Sequence, residues 1–214
     1  MFYQDSQHVY RARPLTEFPW LEHGFGTRYT SAEVLAGDST LATVHQIHSD
    51  ICVAARGRAG LLGDGDALLE NAPGHRVAVK TADCIPILLV DAQRRAVAAV
   101  HAGWRGTVQR IVEQAVRRMQ EEFGTEPADL HAAIGPGIGK CCYEVGAEVS
   151  AQFGESGVCH IDLAEANGRQ LAEAGVFEPR IYTARLCTRC NGDFHSYRRD
   201  RQQAGRMLSF IGIK

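Results

Sequence analysis

No stretch of the chain reaches the ~18 uninterrupted apolar residues that a membrane-spanning helix needs, so no membrane partner is expected. An excess of charge of either sign is also missing, because 23 Lys and Arg face 25 Asp and Glu for a net of −2. Binding to a nucleic-acid backbone normally rests on a basic excess, and no nucleic-acid partner is expected either. No repeat, Pro/Ser-rich linker or charge block divides the sequence, which reads as a single domain over 1–214. Met1-Phe2-Tyr3-Gln4-Asp5 has no basic start leading into an apolar run, so a cytoplasmic location is expected. The seven cysteines then read as reduced thiols rather than a disulfide framework. A chain of 214 residues, 45% of them apolar, can bury a core without such staples.

What is present is a mixture of short apolar runs and amphipathic segments. Val77-Ala78-Val79, Ile85 to Val90 and Ala96 to Val100 read as buried strands, the last two separated by a turn-like Asp91 to Arg95. After Gly103-Trp104-Arg105-Gly106, a helix carries Val108, Ile111, Val112, Ala115, Val116, Met119 and Phe123 on one face and stops at Gly124. Asp129 to Ile134 reads as a strand closed by Gly135-Pro136-Gly137. Asp162 reads as the cap of a helix carrying Leu163, Leu171 and Ala174 and ending at Gly175. Ile181 to Leu186 and Met207 to Ile213 read as late strands. The class is α/β or α+β with a mixed sheet.

Three segments put polar groups where a core would not want them: Val44 to Asp50 with two histidines, Lys80-Thr81-Ala82-Asp83-Cys84 between two apolar runs, and Val100 to Gly106 at a strand-to-helix turn. Strand ends are where such sheets present chemistry. A lone histidine there is ordinarily a hydrogen-bonded structural residue, and a lone cysteine beside an apolar strand is ordinarily a small buried hydrophobe. His48, Cys84 and His101 together, however, make two imidazoles and a thiolate. That is a good zinc set with its fourth position open, as in catalytic rather than structural zinc, although the spacings match no local zinc motif.

The remaining polar clusters are weaker signals. Cys187-Thr188-Arg189-Cys190 is a CxxC and Cys141-Cys142 could complete four thiolates, but adjacent cysteines chelate one ion poorly, and reduced, partly buried thiols are the expectation. Arg185, Arg189, Arg198, Arg199, Arg201 and Arg206 read either as a solvated basic face or as an anion pocket. Gly135 to Lys140 lacks the pattern of a nucleotide-binding P-loop.

The combination of His23-Gly24-Phe25-Gly26-Thr27-Arg28, Gln46-Ile47-His48-Ser49, Gly65-Asp66-Ala67, Lys80 to Pro86, His101 to Thr107, Ile134 to Gly146 and Ser196-Tyr197-Arg198-Arg199 with Gly205-Arg206 resembles one family. It is the YfiH-like family, long labelled multicopper polyphenol oxidase laccase, and the resemblance runs in order from about residue 23 to 213. It implies a layered α/β/β/α sandwich and a zinc-dependent purine nucleoside phosphorylase with adenosine deaminase activity. His48, Cys84 and His101 match the family's metal-binding and catalytic residues, and Arg28 matches its substrate-pocket arginine. Family members follow that arginine with a Gly-Gly turn and a longer insert, whereas here only Tyr29 to Thr43 intervene, which implies a trimmed pocket rim.

The implied partners are a nucleoside (adenosine, inosine, guanosine or methylthioadenosine) and phosphate, acted on by a monomer or weak homodimer. Zinc would activate water for deamination at C6. Asp83 is a candidate proton shuttle or turn cap, and Arg28, Lys80 and Arg105 are candidate phosphate clamps. Copper could occupy the same His₂Cys set, but laccase chemistry needs His-x-His pairs, and the chain has none. An amidohydrolase that edits cell-wall precursors is the main rival. A non-enzymatic zinc-binding module is disfavoured by the open ligand set.

Overall fold

The computed structural model describes residues 2–30 and 39–214. The shortened stretch singled out above therefore falls partly outside the described residues. The strands, in chain order, are β1 (Phe2–Gln4), β2 (Tyr10–Ala12), β3 (Leu21–Phe25), β4 (Leu41–His45), β5 (Cys52–Ala54), β6 (Gly60–Asp64), β7 (Ala67–Glu70), β8 (Arg76–Thr81), β9 (Ile85–Asp91), β10 (Ala96–Ala102), β11 (Leu130–Ile134), β12 (Glu144–Val145), β13 (Cys159–His160), β14 (Ile181–Thr183) and β15 (Met207–Ile213). The helices are α1 (Trp104–Val108), α2 (Ile111–Phe123), α3 (Ala147–Ser150), α4 (Leu163–Glu173) and α5 (Tyr197–Asp200).

Two mixed sheets carry the architecture. One has seven strands in the order β1-β2-β3-β15-β8-β4-β6, the other six in the order β14-β11-β9-β10-β7-β5, and β12 pairs with β13 apart from both. The α+β class with layered sheets is as expected.

The strands of the six-stranded sheet explain themselves through alternation. In β9 and β10, Ile85, Ile87, Leu89, Ala96, Ala98 and Val100 face α2 and α4, whose Ile111, Val112, Ala115, Met119, Leu163 and Leu171 complete that core. The alternate residues Leu88, Val90, Val97 and Ala99 face the other sheet and meet Val77, Val79, Phe25 and Ile211. A strand buried on both faces must be apolar at every position, which is why these two runs are continuous. Asp91 then closes the hairpin by accepting from the backbone N–H groups of Gln93 and Arg94.

Two expected elements differ in detail. The helix after Gly103 is two helices, because Arg110 takes a left-handed backbone (φ 61°) between them. The apolar periodicity passes through this break, so pattern alone cannot show it. The strand expected over Ile181 to Leu186 stops at Thr183, and Arg185 turns the chain at φ 55°. The stop at Gly124 and the Asp162 cap, which accepts from Glu165 N, are as expected.

Candidate metal centre and active site

The site lies where the chain crosses from one sheet to the other. β4 belongs to the seven-stranded sheet and β5 to the six-stranded one, and the segment between them carries His48. β8 and β9 are divided in the same way, and Ala82-Asp83-Cys84 joins them. His101 comes from the end of β10, just before α1. Loops that change sheets cannot continue either hydrogen-bond ladder, and His48 (φ 61°) and Asp83 (φ 85°) both take left-handed conformations there. Non-glycine residues hold such conformations only where their surroundings fix them.

His48, Cys84 and His101 come together as the sequence proposes: their ligand atoms all lie within 4.8 Å of one another. The two imidazoles meet edge to face at 5.0 Å between centroids. His101 is buried, Cys84 half-buried and His48 exposed, so the set is closed from behind and open in front. Gly103 makes room for it. A Cβ there would stand 3.1 Å from both Cys84 Sγ and His48 Cδ2.

Asp66, quoted above only as part of a motif, organises the cluster. Its buried carboxylate accepts from the backbone N–H groups of Ile47 (3.2 Å), His48 (3.0 Å) and Ser49 (2.7 Å) and from the Ser49 hydroxyl (2.8 Å). It also takes the Nδ1–H of His101 at 2.8 Å. That bond leaves the Nε2 lone pair of His101 for a metal, the second-sphere arrangement typical of metal-bound histidine. Burial pushes the Asp66 carboxyl up, but the His101 and Ser49 hydrogen bonds outweigh it and hold the group down at about 2. Burial likewise pushes the Cys84 thiol up, and hydrogen bonding to His101 and His48 overcomes this to bring it down to about 6. Cys84 is thus disposed to be a thiolate. A soft thiolate and two imidazoles fit a zinc ion.

The centre opens into a cavity of about 610 Å³, within the range of small-molecule sites. Val44, Leu61, Ile138, Tyr143 and Tyr197 give it apolar and aromatic surface, while Lys80, Arg198 and Arg206 bring positive charge. The guanidinium of Arg198 also lies 5.3 Å from the Tyr143 ring centroid, and its Nη1 donates to Glu144 O.

The other expected residues are placed unevenly. Lys80 is in the cavity wall, its backbone N–H and C=O both gripped by the Gln46 side chain. Arg28 is not among the lining residues; it pairs with Asp200 at 3.4 Å. Arg105 is also outside the lining and stacks on Trp104 at 4.7 Å. Asp83 lines the cavity, but its two oxygens accept from the Thr188 hydroxyl and from Arg198 N, each at 2.6 Å. That is the work of a turn cap. Of the arginine-rich segment, Arg198 and Arg206 line the cavity, whereas Arg199 is tied to Thr188 O, Phe194 O and Asp200. Cys141, Cys142, Cys187 and Cys190 are free thiols, Cys142 and Cys187 half-buried and Cys141 and Cys190 exposed, and they form a second group with all ligand atoms within 4.8 Å.

Comparison with known proteins gives consistent matches. A family model described as multi-copper polyphenol oxidoreductase laccase matches residues 27–214. The chain is 40% identical over 196 residues to a purine nucleoside phosphorylase of Deinococcus radiodurans, covering 87% of this chain and 75% of that one. It is also 40% identical over 163 residues to adenosine deaminase RL5 of an unknown prokaryotic organism, covering 69% and 61%. The crystal structure of the Bacillus licheniformis hypothetical protein YfiH superposes with a TM-score of 0.90 at 28% identity, covering 100% of this chain and 99% of that one.

Proposed function

The chain belongs to the multi-copper polyphenol oxidoreductase laccase family, and from that membership we propose that it is a zinc-dependent purine nucleoside phosphorylase that also deaminates adenosine. The observation that carries the reading is an open His48–Cys84–His101 set facing a cavity that also holds Lys80, Arg198 and Arg206. The names of the relatives support the same activities.

His48, Cys84 and His101 would hold the ion, with His101 oriented by Asp66. When bound, the ion supplies Lewis-acid chemistry: it stabilises negative charge on an oxygen and lowers the pKa of water. Lys80, Arg198 and Arg206 bind inorganic phosphate, for which guanidinium forks are well shaped. Held beside the nucleoside, a phosphate oxygen attacks C1′ while the purine leaves with the bonding electrons, and positioning supplies much of the rate. Leu61, Ile138, Tyr143 and Tyr197 offer the base and sugar apolar contact. Burial, with the nearby Cys84 charge, raises the Tyr143 hydroxyl to about 12, so at neutral pH it keeps its proton as a donor. Adenosine, inosine, guanosine and methylthioadenosine share the purine-ribose unit such a pocket would read. Copper-based phenol oxidation is disfavoured. Among the described residues only one metal-competent group contains histidine, and a multicopper centre needs several.

The test is product analysis of the zinc-loaded protein with adenosine, with and without phosphate. Adenine and ribose 1-phosphate should appear only with phosphate, and inosine should appear in both reactions. Absence of all three products would refute the reading and turn attention to amide hydrolysis of cell-wall precursors.

A further inference from the structure

The second thiol group is built by two turns that reach each other across the fold. In the first, Cys142 N and Tyr143 N both donate to Gly139 O at 2.9 and 3.0 Å. This curls the chain so that the adjacent Cys141 and Cys142 both approach Cys190, at Sγ–Sγ distances of 3.6 and 3.3 Å. In the second turn, Asn191 N donates to Cys187 O at 3.0 Å. Backbone bonds stitch the turns together: Gly137 N to Leu186 O at 3.2 Å and Thr188 N to Gly137 O at 3.0 Å. Adjacent cysteines ordinarily chelate one ion poorly, but here the turn at Gly139 brings both sulfurs within reach of Cys190.

The distances suit a metal better than a disulfide. Four thiolates around zinc at ~2.3 Å place their sulfurs ~3.8 Å apart, and here all four lie within 4.8 Å of one another. A disulfide would single out one partner, yet Cys190 has two at similar distance. The amide N–H of Gly139 points at Cys187 Sγ at 3.3 Å. Amide N–H groups aimed at sulfur stabilise a thiolate ligand. Unlike the first centre, this one has four protein ligands and no open position, which marks a structural site.

We propose that Cys141, Cys142, Cys187 and Cys190 hold a second zinc ion that clamps the two turns behind the cavity. Each thiol gives its proton to solvent as its sulfur takes up the metal. The clamp acts on the cavity through its neighbours. Thr188, inside the CxxC turn, holds Asp83 by its hydroxyl, while Ile138 and Tyr143 flank the first turn and line the cavity.

The test is zinc per chain in protein purified under reducing conditions, loaded with zinc and desalted. Two ions are expected in the wild type and one in Cys190→Ser, with phosphorolysis by that variant persisting. One ion in both proteins overturns the proposal, as does an intact mass two hydrogens below the reduced value, which would mean a disulfide. Should Cys190→Ser fail to fold, zinc-edge X-ray absorption of the wild type decides. A sulfur-dominated mean ligand shell supports the second site, and a nitrogen-dominated one overturns it.

Discussion

Replacing Asp66 by Asn removes one oxygen and one charge from the group that organises the His48–Cys84–His101 cluster, and the hydrogen-bond geometry sets the cost. Oδ2 faces the N–H groups of Ile47 and Ser49 and the Ser49 hydroxyl, while Oδ1 faces His48 N–H and the His101 Nδ1–H. If the new NH₂ takes the Oδ2 position, two part-buried backbone N–H groups lose their acceptor. At ~1–3 kcal/mol for each stranded group, the fold loses ~2–6 kcal/mol. If it takes the Oδ1 position, one N–H is stranded and His101 must move its proton to Nε2, the nitrogen that should face the metal. Loss of such an orienting partner weakens metal binding by ~10–100-fold. Urea unfolding and zinc competition with a chromophoric chelator read the two costs. Cys141→Ser and Cys190→Ser in the background confine the titration to this centre. An Asp66→Asn protein with unchanged unfolding midpoint and unchanged zinc affinity would refute the reasoning.

Other consequences can be measured separately. Gly103→Ala should keep the fold but weaken zinc at the same centre, since its Cβ would press on Cys84 Sγ and His48 Cδ2 at 3.1 Å; equal affinity by chelator competition would count against it. Arg206→Ala should raise the KM for phosphate and lower phosphorolysis by ~10–150-fold, the value of a lost charge-assisted bond, while sparing deamination. Arg28→Ala, a residue paired with Asp200 outside the cavity lining, should cost much less in the same assays. His23 provides a pH signature. Burial, then the Arg11 charge, lowers its pKa to about 4 from 6.5. The unfolded chain therefore binds the extra proton first, and stability, complete above pH ~6.5, declines as pH falls toward ~4 by up to ~3 kcal/mol. His23→Gln should flatten that slope in urea titrations, and an unchanged slope would contradict it.

What could be read from the sequence follows from how each signal is encoded. β9 and β10 were legible because burial on both faces makes the run continuous. β6 was not, since all but one of its residues are exposed and its sequence, Gly60 to Asp64, looks like a loop. His48, Cys84 and His101 stand out as polar groups at or beside strand ends. Asp66 does not, because its partners lie 17 to 35 residues away along the chain. The proximity of the four thiols is not legible in the sequence, because the turn at Gly139 that brings Cys141 and Cys142 toward Cys190 leaves no pattern in it. Arg28 and Arg105 are favoured by position next to motifs, whereas the cavity wall draws on Arg198 in α5 and Arg206 just before β15.

The central claim is that the His48–Cys84–His101 centre performs the chemistry, and Cys84→Ala tests it most directly. Adenosine phosphorolysis, adenosine deamination and zinc per chain are measured on the same purified sample. The variant should lose one zinc and both activities together while keeping the wild-type far-ultraviolet circular dichroism. Retention of either activity at wild-type rate in folded Cys84→Ala protein lacking that ion would contradict the account.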